Sequence, residues 1–381
     1  MSSKMKIHGK KIKFRTGYWA YVPSPLPPRF EWENKLVQAL SDADRAIGQL
    51  AEEGRHLKNP HLLIRPFVRK EAILSSRIEG TQTSLAELFA DEAGAKTNRD
   101  RSDLKEVENY VKALEYGIER LKKLPLSLRL IREIHEHLMR GVRGNIATPG
   151  EFRKTQNWIG VAGCTLQTAT YVPPPAEHLN TCLKDLETFI HESHLPPLIT
   201  IGLVHEQFEA IHPFLDGNGR IGRLLITLYL IEKNILPSPI LYISAFFEAT
   251  RQEYYQRLQA VTNQGDWTGW LEYFLNGISR QSEDALSRIQ DIQKTITQWK
   301  EKFSGKADKN CIRLIEDLSA NPFLTVRGVA TKHKIAFTTA QRAIDKLEVS
   351  QILKQTKDAN RNRVYSAKKI LEILERPAKL K

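Results

Sequence analysis

The 381-residue chain is poor in cysteine and has no long apolar runs. Its three cysteines, Cys164, Cys182 and Cys311, are scattered and odd in number. They show neither zinc-ligand spacing nor a disulfide framework. No apolar run reaches the roughly 18 residues of a transmembrane helix, so no membrane partner is expected. Met1–Arg15 is basic but lacks the apolar stretch of a signal peptide. These absences together lead us to expect a cytoplasmic protein. There is no internal repeat and no low-complexity segment. What remains is 41% hydrophobic and 27% charged, a globular composition long enough for two or three domains.

Positive charge is unevenly spread. The formal net charge is +13. Lys302–Lys381 holds 18 Lys and Arg against 8 Asp and Glu, a net of +10, which leaves +3 for the other 301 residues. Such a basic C-terminal fifth is a domain-level signal.

The densest chemistry lies in His212–Arg223, His-Pro-Phe-Leu-Asp-Gly-Asn-Gly-Arg-Ile-Gly-Arg. Helical apolar patterns flank it: Leu198–Ile211 before and Leu224–Ile231 after. The motif therefore reads as a loop between two core helices. Gly217 and Gly219 permit positive φ and close backbone approach. Their N–H groups at the start of the second helix form an anion site. Arg220 and Arg223 share one face of its first turn. Cations are unfavourable there unless a polyanion offsets them. Asp216 suits a hard cation such as Mg²⁺, and His212 suits general-base work.

His212-x-Phe214-x-Asp216-Gly217-Asn218-Gly219-Arg220-x-x-Arg223 resembles the complete core motif of the Fic-domain (filamentation induced by cAMP) proteins. The resemblance spans roughly Tyr21–Phe274. It implies transfer of AMP from ATP to a Tyr, Thr or Ser hydroxyl of a target protein, which could be the chain itself. His212 would be the catalytic base and Asp216 the Mg²⁺ ligand. Gly217, Asn218, Gly219, Arg220, Gly222 and Arg223 would bind the nucleotide, with Tyr254 and Asn263 near the adenine. For Tyr255 aromatic core packing is at least as good a reading as a place near the adenine. The small Gly219 argues against the kinase-type members, which carry a bulkier residue there. Removal of AMP and a nucleotide-sensing DNA-binding regulator stay open as alternatives.

Upstream, Ser75-Ser-Arg-Ile-Glu79-Gly80 places a hydroxyl and a carboxylate on one helix face, before a glycine suited to a C-cap. A carboxylate at a helix C-terminus needs a cationic partner. Ser75-x-x-x-Glu79-Gly80 is similar to the family's inhibitory motif. It implies that Glu79 pairs with Arg223 and competes with the ATP γ-phosphate.

The rest reads as mostly α: a Fic helical core with a β-hairpin flap, plus a small α/β winged-helix domain. Residues 1–124 form an N-terminal helical region, with an extended, Pro-rich lead-in to Trp32 and the inhibitory helix at about 67–80. Residues 125–275 form the core, with a helix from about Leu126 and a hairpin between about Gln156 and Val172. In the family that hairpin is the flap on which a target segment aligns. Residues 276–309 are a connecting helix and linker. In 310–381, helices Cys311–Leu318, Val326–Lys334 and Thr339–Leu347, the last two capped by Thr325 and Thr338, precede strands Ile352–Gln355 and Arg363–Ser366. This order resembles a winged helix-turn-helix domain. Gln341, Arg342 and Lys346 would face out on its recognition helix, with Arg361 and Arg363 on the wing. DNA or protein contact is open. ATP and a protein hydroxyl are the expected partners; DNA and a homodimer partner are further candidates.

Overall fold

The computed structural model describes residues 8–14, 17–57, 60–93, 101–142, 148–161, 163–303, 305, 309–356 and 363–377. The lead-in is not merely extended. Strands β1 (Gly9–Lys13) and β2 (Trp19–Pro23) pair antiparallel, Gly9 opposite Pro23 and Lys13 opposite Trp19. β1 escapes a reading by periodicity because three of its five residues are lysines and only Ile12 is a strong β-former.

The N-terminal helices are α1 (Asn34–Arg55), α2 (Pro60–Ile78), α3 (Leu85–Glu92) and α4 (Arg101–Leu121). In α1 the expected apolar stripe buries Leu36, Ala43, Ile47 and Leu50. α2 begins seven residues before the expected Phe67, with Pro66 inside it. The proline lies past the first four positions, so it removes one intrahelical hydrogen bond. α3 opens on a capping box, the Ser84 side chain accepting from Glu87 N–H while the Glu87 carboxylate accepts from Ser84 N–H.

The core helices follow: α5 (Leu128–Met139), α6 (Ala176–Glu192), α7 (Pro197–Ile211) and α8 (Asn218–Glu232). α5 starts at Leu128 rather than Leu126, because the Ser127 hydroxyl caps it by accepting from Leu130 N–H. α7 and α8 bury residues all round, so they form the centre of the molecule. Among the described residues the flap is looser than a two-stranded hairpin: one bridge, Ile159 to Tyr171, joins its arms. Its exit is tied to the N-terminal hairpin, Tyr21 N–H donating to Val172 O.

Beyond the core come α9 (Ser244–Ala249), α10 (Arg251–Gln264) and the 35-residue α11 (Trp267–Glu301), along which α1 packs. The C-terminal unit contains α12 (Lys309–Leu318), β3 (Phe323–Thr325), α13 (Val326–His333), α14 (Phe337–Val349), β4 (Lys354–Gln355), β5 (Val364–Ser366) and α15 (Lys368–Glu375). β3 and α15 were not foreseen. β3 pairs with β5, giving a sheet of order β3-β5-β4. Thr325 does cap α13, accepting from Gly328 N–H. Thr338 does not cap α14. Ala336 takes the N-cap position with extended backbone, and Thr338 lies within the helix. Among the described residues no helix is long and apolar enough to cross a membrane.

Candidate active site

A cleft of about 640 Å³ opens between the flap, α7, α10 and the N-terminus of α8. His212, Gly219, Arg223, Glu79 and Tyr254 all line it, so widely separated sequence signals meet in one place.

α7 ends at His212, whose left-handed backbone (φ 48, ψ 62) turns the chain into the motif loop. The Nδ1 of His212 lies 3.3 Å from Glu209 O. A carbonyl only accepts, so Nδ1 carries the proton and Nε2 keeps its lone pair. Burial pushes the His212 pKa down to about 4, so the ring is neutral at neutral pH. Three groups hold the loop from below. Arg153, buried, donates through Nε to His212 O at 2.9 Å. Asn157 Nδ2 donates to His212 O and Phe214 O. His135 stacks on Phe214 and contacts Asp216 O through Nε2 at 3.0 Å. Arg153 lies in the Gly-Glu-Phe-Arg stretch before the flap, but nothing in the sequence marks it as a brace for His212. Nor is there a signal for His135, which sits beside an apolar stripe.

Gly217 is the N-cap of α8 with φ 80, which a side chain rarely adopts, and it offers no side-chain cap. The first N–H groups of α8 therefore lack intrahelical partners and form an anion cradle beside His212. Asp216 Oδ1 accepts from Gly217 N–H at 2.6 Å, and its side chain is 56% exposed. Its second oxygen has no partner among the described residues, which fits a hard cation shared with substrate phosphates.

Three motif residues serve the loop rather than the cleft. The Asn218 side chain is spent on Phe214, accepting from its N–H and donating to its O, both at 2.8 Å. Arg220 pairs with Glu106 of α4 at 3.0 Å and does not line the cleft. A Cβ on Gly222 would meet Glu209 Oε1 at 2.3 Å, and Gly222 O accepts from His205 Nδ1, so this glycine permits close packing of α8 on α7.

Arg223 lines the cleft and is 1% exposed. Its Nη2 donates to Glu79 Oε1 at 2.6 Å and to Ser75 O at 3.0 Å, and its Nε donates to Ser75 Oγ at 2.8 Å. Burial works against the Glu79 carboxylate, but the charge and hydrogen bond of Arg223, with Arg220 and His212, outweigh it and lower its pKa. The same pair raises that of Arg223. Glu79 also lies over Gly219, where a Cβ would stand 2.3 Å from its Oε1. Gly80 follows with φ 105, closing α2 as a terminating glycine does.

Both tyrosines of α10 line the cleft, but Tyr255 is the more exposed of the two. Tyr254 is the core residue, its hydroxyl 2.9 Å from His205 Nε2 and its ring stacked on Phe247. Tyr255 is 40% exposed on the cleft wall. Tyr255, Leu258, Gln259 and Thr262 recur at helical spacing along that wall. Asn263, one residue on, is turned away: it lines a neighbouring cleft and accepts from Lys11 Nζ at 3.2 Å. In the C-terminal unit Arg342, Lys346 and Arg363 are exposed, while Gln341 is half-buried and hydrogen-bonds Asp345. Arg361 lies outside the described residues.

Residues 37–119 match the Fic/DOC family N-terminal model, and residues 125–230 match the Fic/DOC family model. The chain belongs to the Fic/DOC family. It is similar to protein adenylyltransferase fic-1 of Caenorhabditis elegans, 28% identical over 266 residues, covering 66% of this chain and 47% of that protein. It is also 28% identical over 179 residues to protein adenylyltransferase Fic of Drosophila virilis, covering 46% of this chain and 33% of that one. At its widest the match spans about half the length of these curated Fic relatives. Among solved structures, a Fic family protein from Desulfovibrio desulfuricans G20 shares the fold over 90% of this chain and 98% of its own, with a TM-score of 0.60 at 20% identity. A fragment of C. elegans Fic-1 does so over 68% and 74%, with a TM-score of 0.51 at 24% identity.

Proposed function

We propose that this Fic/DOC protein is a protein adenylyltransferase that moves AMP from ATP to a target hydroxyl and is held in check by Glu79. The observation that carries this reading is the meeting, in one cleft, of the lone pair on His212 Nε2, the uncapped α8 N-terminus and Arg223. His212 Nε2 takes the proton of a Tyr, Thr or Ser hydroxyl as its oxygen attacks the α-phosphorus. The α–β bridging oxygen leaves with diphosphate. The α8 N–H groups and Arg223 stabilise the charge that builds on the phosphates. Asp216 is the residue that would hold Mg²⁺, which supplies charge neutralisation on the phosphates when bound. In the resting chain Arg223 is occupied by Ser75 and Glu79, and the Glu79 carboxylate sits above Gly219. A triphosphate in its productive pose must displace that carboxylate. Incubation with ATP labelled at the α- or the γ-phosphate tests the reading. Transfer of label to protein from the α position alone is expected; transfer from γ alone would make the protein a kinase.

The C-terminal unit supports a second activity of the same chain. Its excess of positive charge and the exposed Arg342, Lys346 and Arg363 suit phosphate contacts on duplex DNA. Full-length protein should bind promoter-length duplex with an affinity that falls steeply with salt. No shift at low salt would leave this unit as a protein-contact module.

A further inference from the structure

One end of the cleft holds a polar group that the transfer step does not use. Glu206 lies on α7 six residues before His212, so about 9 Å of helix separates them. That is comparable with the span from a 5′-phosphate across the ribose to the far edge of a purine. Glu206 is 2% exposed, lines the cleft, and makes no hydrogen bond or ion pair with any described residue. Its titratable neighbours are Tyr21, Tyr171 and Glu209, none of them a cation. Both tyrosine hydroxyls donate elsewhere, Tyr21 to His8 O and Tyr171 to Ala210 O. Burial, then the charge of Glu209, raises the Glu206 pKa well above the usual carboxylate range. Burial thus favours the neutral form, in which an O–H donor stands beside a C=O acceptor.

An unpaired buried carboxyl costs stability that an apolar residue would not. A ligand that pairs with it removes that cost. Across the cleft stand Gln259 and Thr262, and the Thr262 hydroxyl is already committed to Gln259 O. Glu206 is the buried carboxyl on this wall, and the Gln259 side-chain amide, whose backbone O alone takes the Thr262 hydroxyl, also offers a donor and an acceptor.

We propose that Glu206 is the specificity residue for the nucleobase, accepting from the 6-amino group of adenine and donating to the neighbouring ring nitrogen. The assignment rests on the adenylyl-transfer reading and deepens it. A site built to pair with an amino group discriminates against the analogue lacking it, because the carboxyl is then left half-satisfied.

The test is the binding of ATP and of its 6-deamino analogue, purine riboside triphosphate, to the full-length protein with Mg²⁺. Titration calorimetry in a His212→Ala background prevents turnover. ATP should bind about ten-fold more tightly than the analogue. Glu206→Gln, which keeps one donor and one acceptor, should preserve that ratio. Glu206→Leu should bring it close to one, and Glu206→Ala gives the same comparison should the leucine variant fail to fold. A ratio unchanged in the leucine or alanine variant, or absent in the parent, overturns the assignment while leaving the transfer reading intact. Failure of the chain to bind either triphosphate overturns both.

Discussion

At the scale of single residues, the account turns on what each motif side chain is free to do. His212 has an unoccupied Nε2, and its burial-lowered pKa of about 4 keeps it unprotonated well below neutrality. His212→Ala should therefore abolish transfer while leaving ATP binding within a few-fold of the parent, measured by labelled-AMP incorporation and calorimetry. The same pKa sets a pH dependence. A base with a depressed pKa loses its lone pair only as pH falls towards about 4, so the rate should show no His212 limb near the ordinary 6.5. A pH profile of turnover with an acid limb at 6.5 would contradict the environment described for His212. The spacing of the motif singled out His212 and Arg223, whereas Glu79 stood out only through its resemblance to the family's inhibitory motif. Asn218, Arg220 and Gly222 were expected as nucleotide ligands, and in the resting chain each is engaged elsewhere. A sequence motif does not distinguish residues that touch a ligand from those that hold the loop in shape. Only coordinates show Asn218 spent on Phe214 and Arg220 on Glu106.

Among the elements, α2 matters most. It is anchored in its middle by the buried Glu71, which accepts from Tyr110 OH, Ser244 N–H and the Ser244 hydroxyl. Ser75 and Glu79, one and two turns further on, then meet Arg223 in register. The apolar stripes of α1 and α5 and the caps at Ser84 and Thr325 follow sequence rules closely. The misses have physical reasons. β1 is lysine-rich, and β3 is three residues long. In α10 the side facing the core is set by packing against His205 and Phe247, which neighbouring tyrosines do not reveal. The loop between α7 and α8 supplies its own prediction. Asn218→Ala leaves Phe214 N–H without its partner in a buried setting, while Phe214 O keeps Asn157, at a cost of about 1–3 kcal/mol. Equilibrium denaturation should show that loss, accompanied by reduced transfer.

Over the whole molecule, the C-terminal unit is joined to the rest by buried polar contacts. Arg288 of α11 is fully buried and pairs with Asp284 at 2.8 Å. It also donates to Ile373 O and to Arg376 O at the end of α15. On the other side, Asn321 Nδ2 donates to Phe89 O and the Thr325 hydroxyl to Ala93 O, tying β3 to α3. The basic composition of 310–381 announced a separate unit, but these joints involve residues far apart in sequence and left no local trace. Arg288→Ala would leave the buried Asp284 with the Tyr242 hydroxyl but without its arginine, which costs about 3–5 kcal/mol. A lowered thermal midpoint of the full chain checks this. An unchanged midpoint would mean that α15 does not depend on Arg288 for its seat.

The central claim is that Glu79 and the triphosphate compete for Arg223. It is tested most directly by the initial rate of protein adenylylation from α-labelled ATP in four proteins: the parent, Glu79→Gly, Arg223→Ala and the double variant. The account predicts that Glu79→Gly raises the rate about ten-fold or more, the scale of one charge-assisted contact. It further predicts that Arg223→Ala cancels the gain. A Glu79→Gly rate equal to or below that of the parent, or a gain that survives Arg223→Ala, would contradict it.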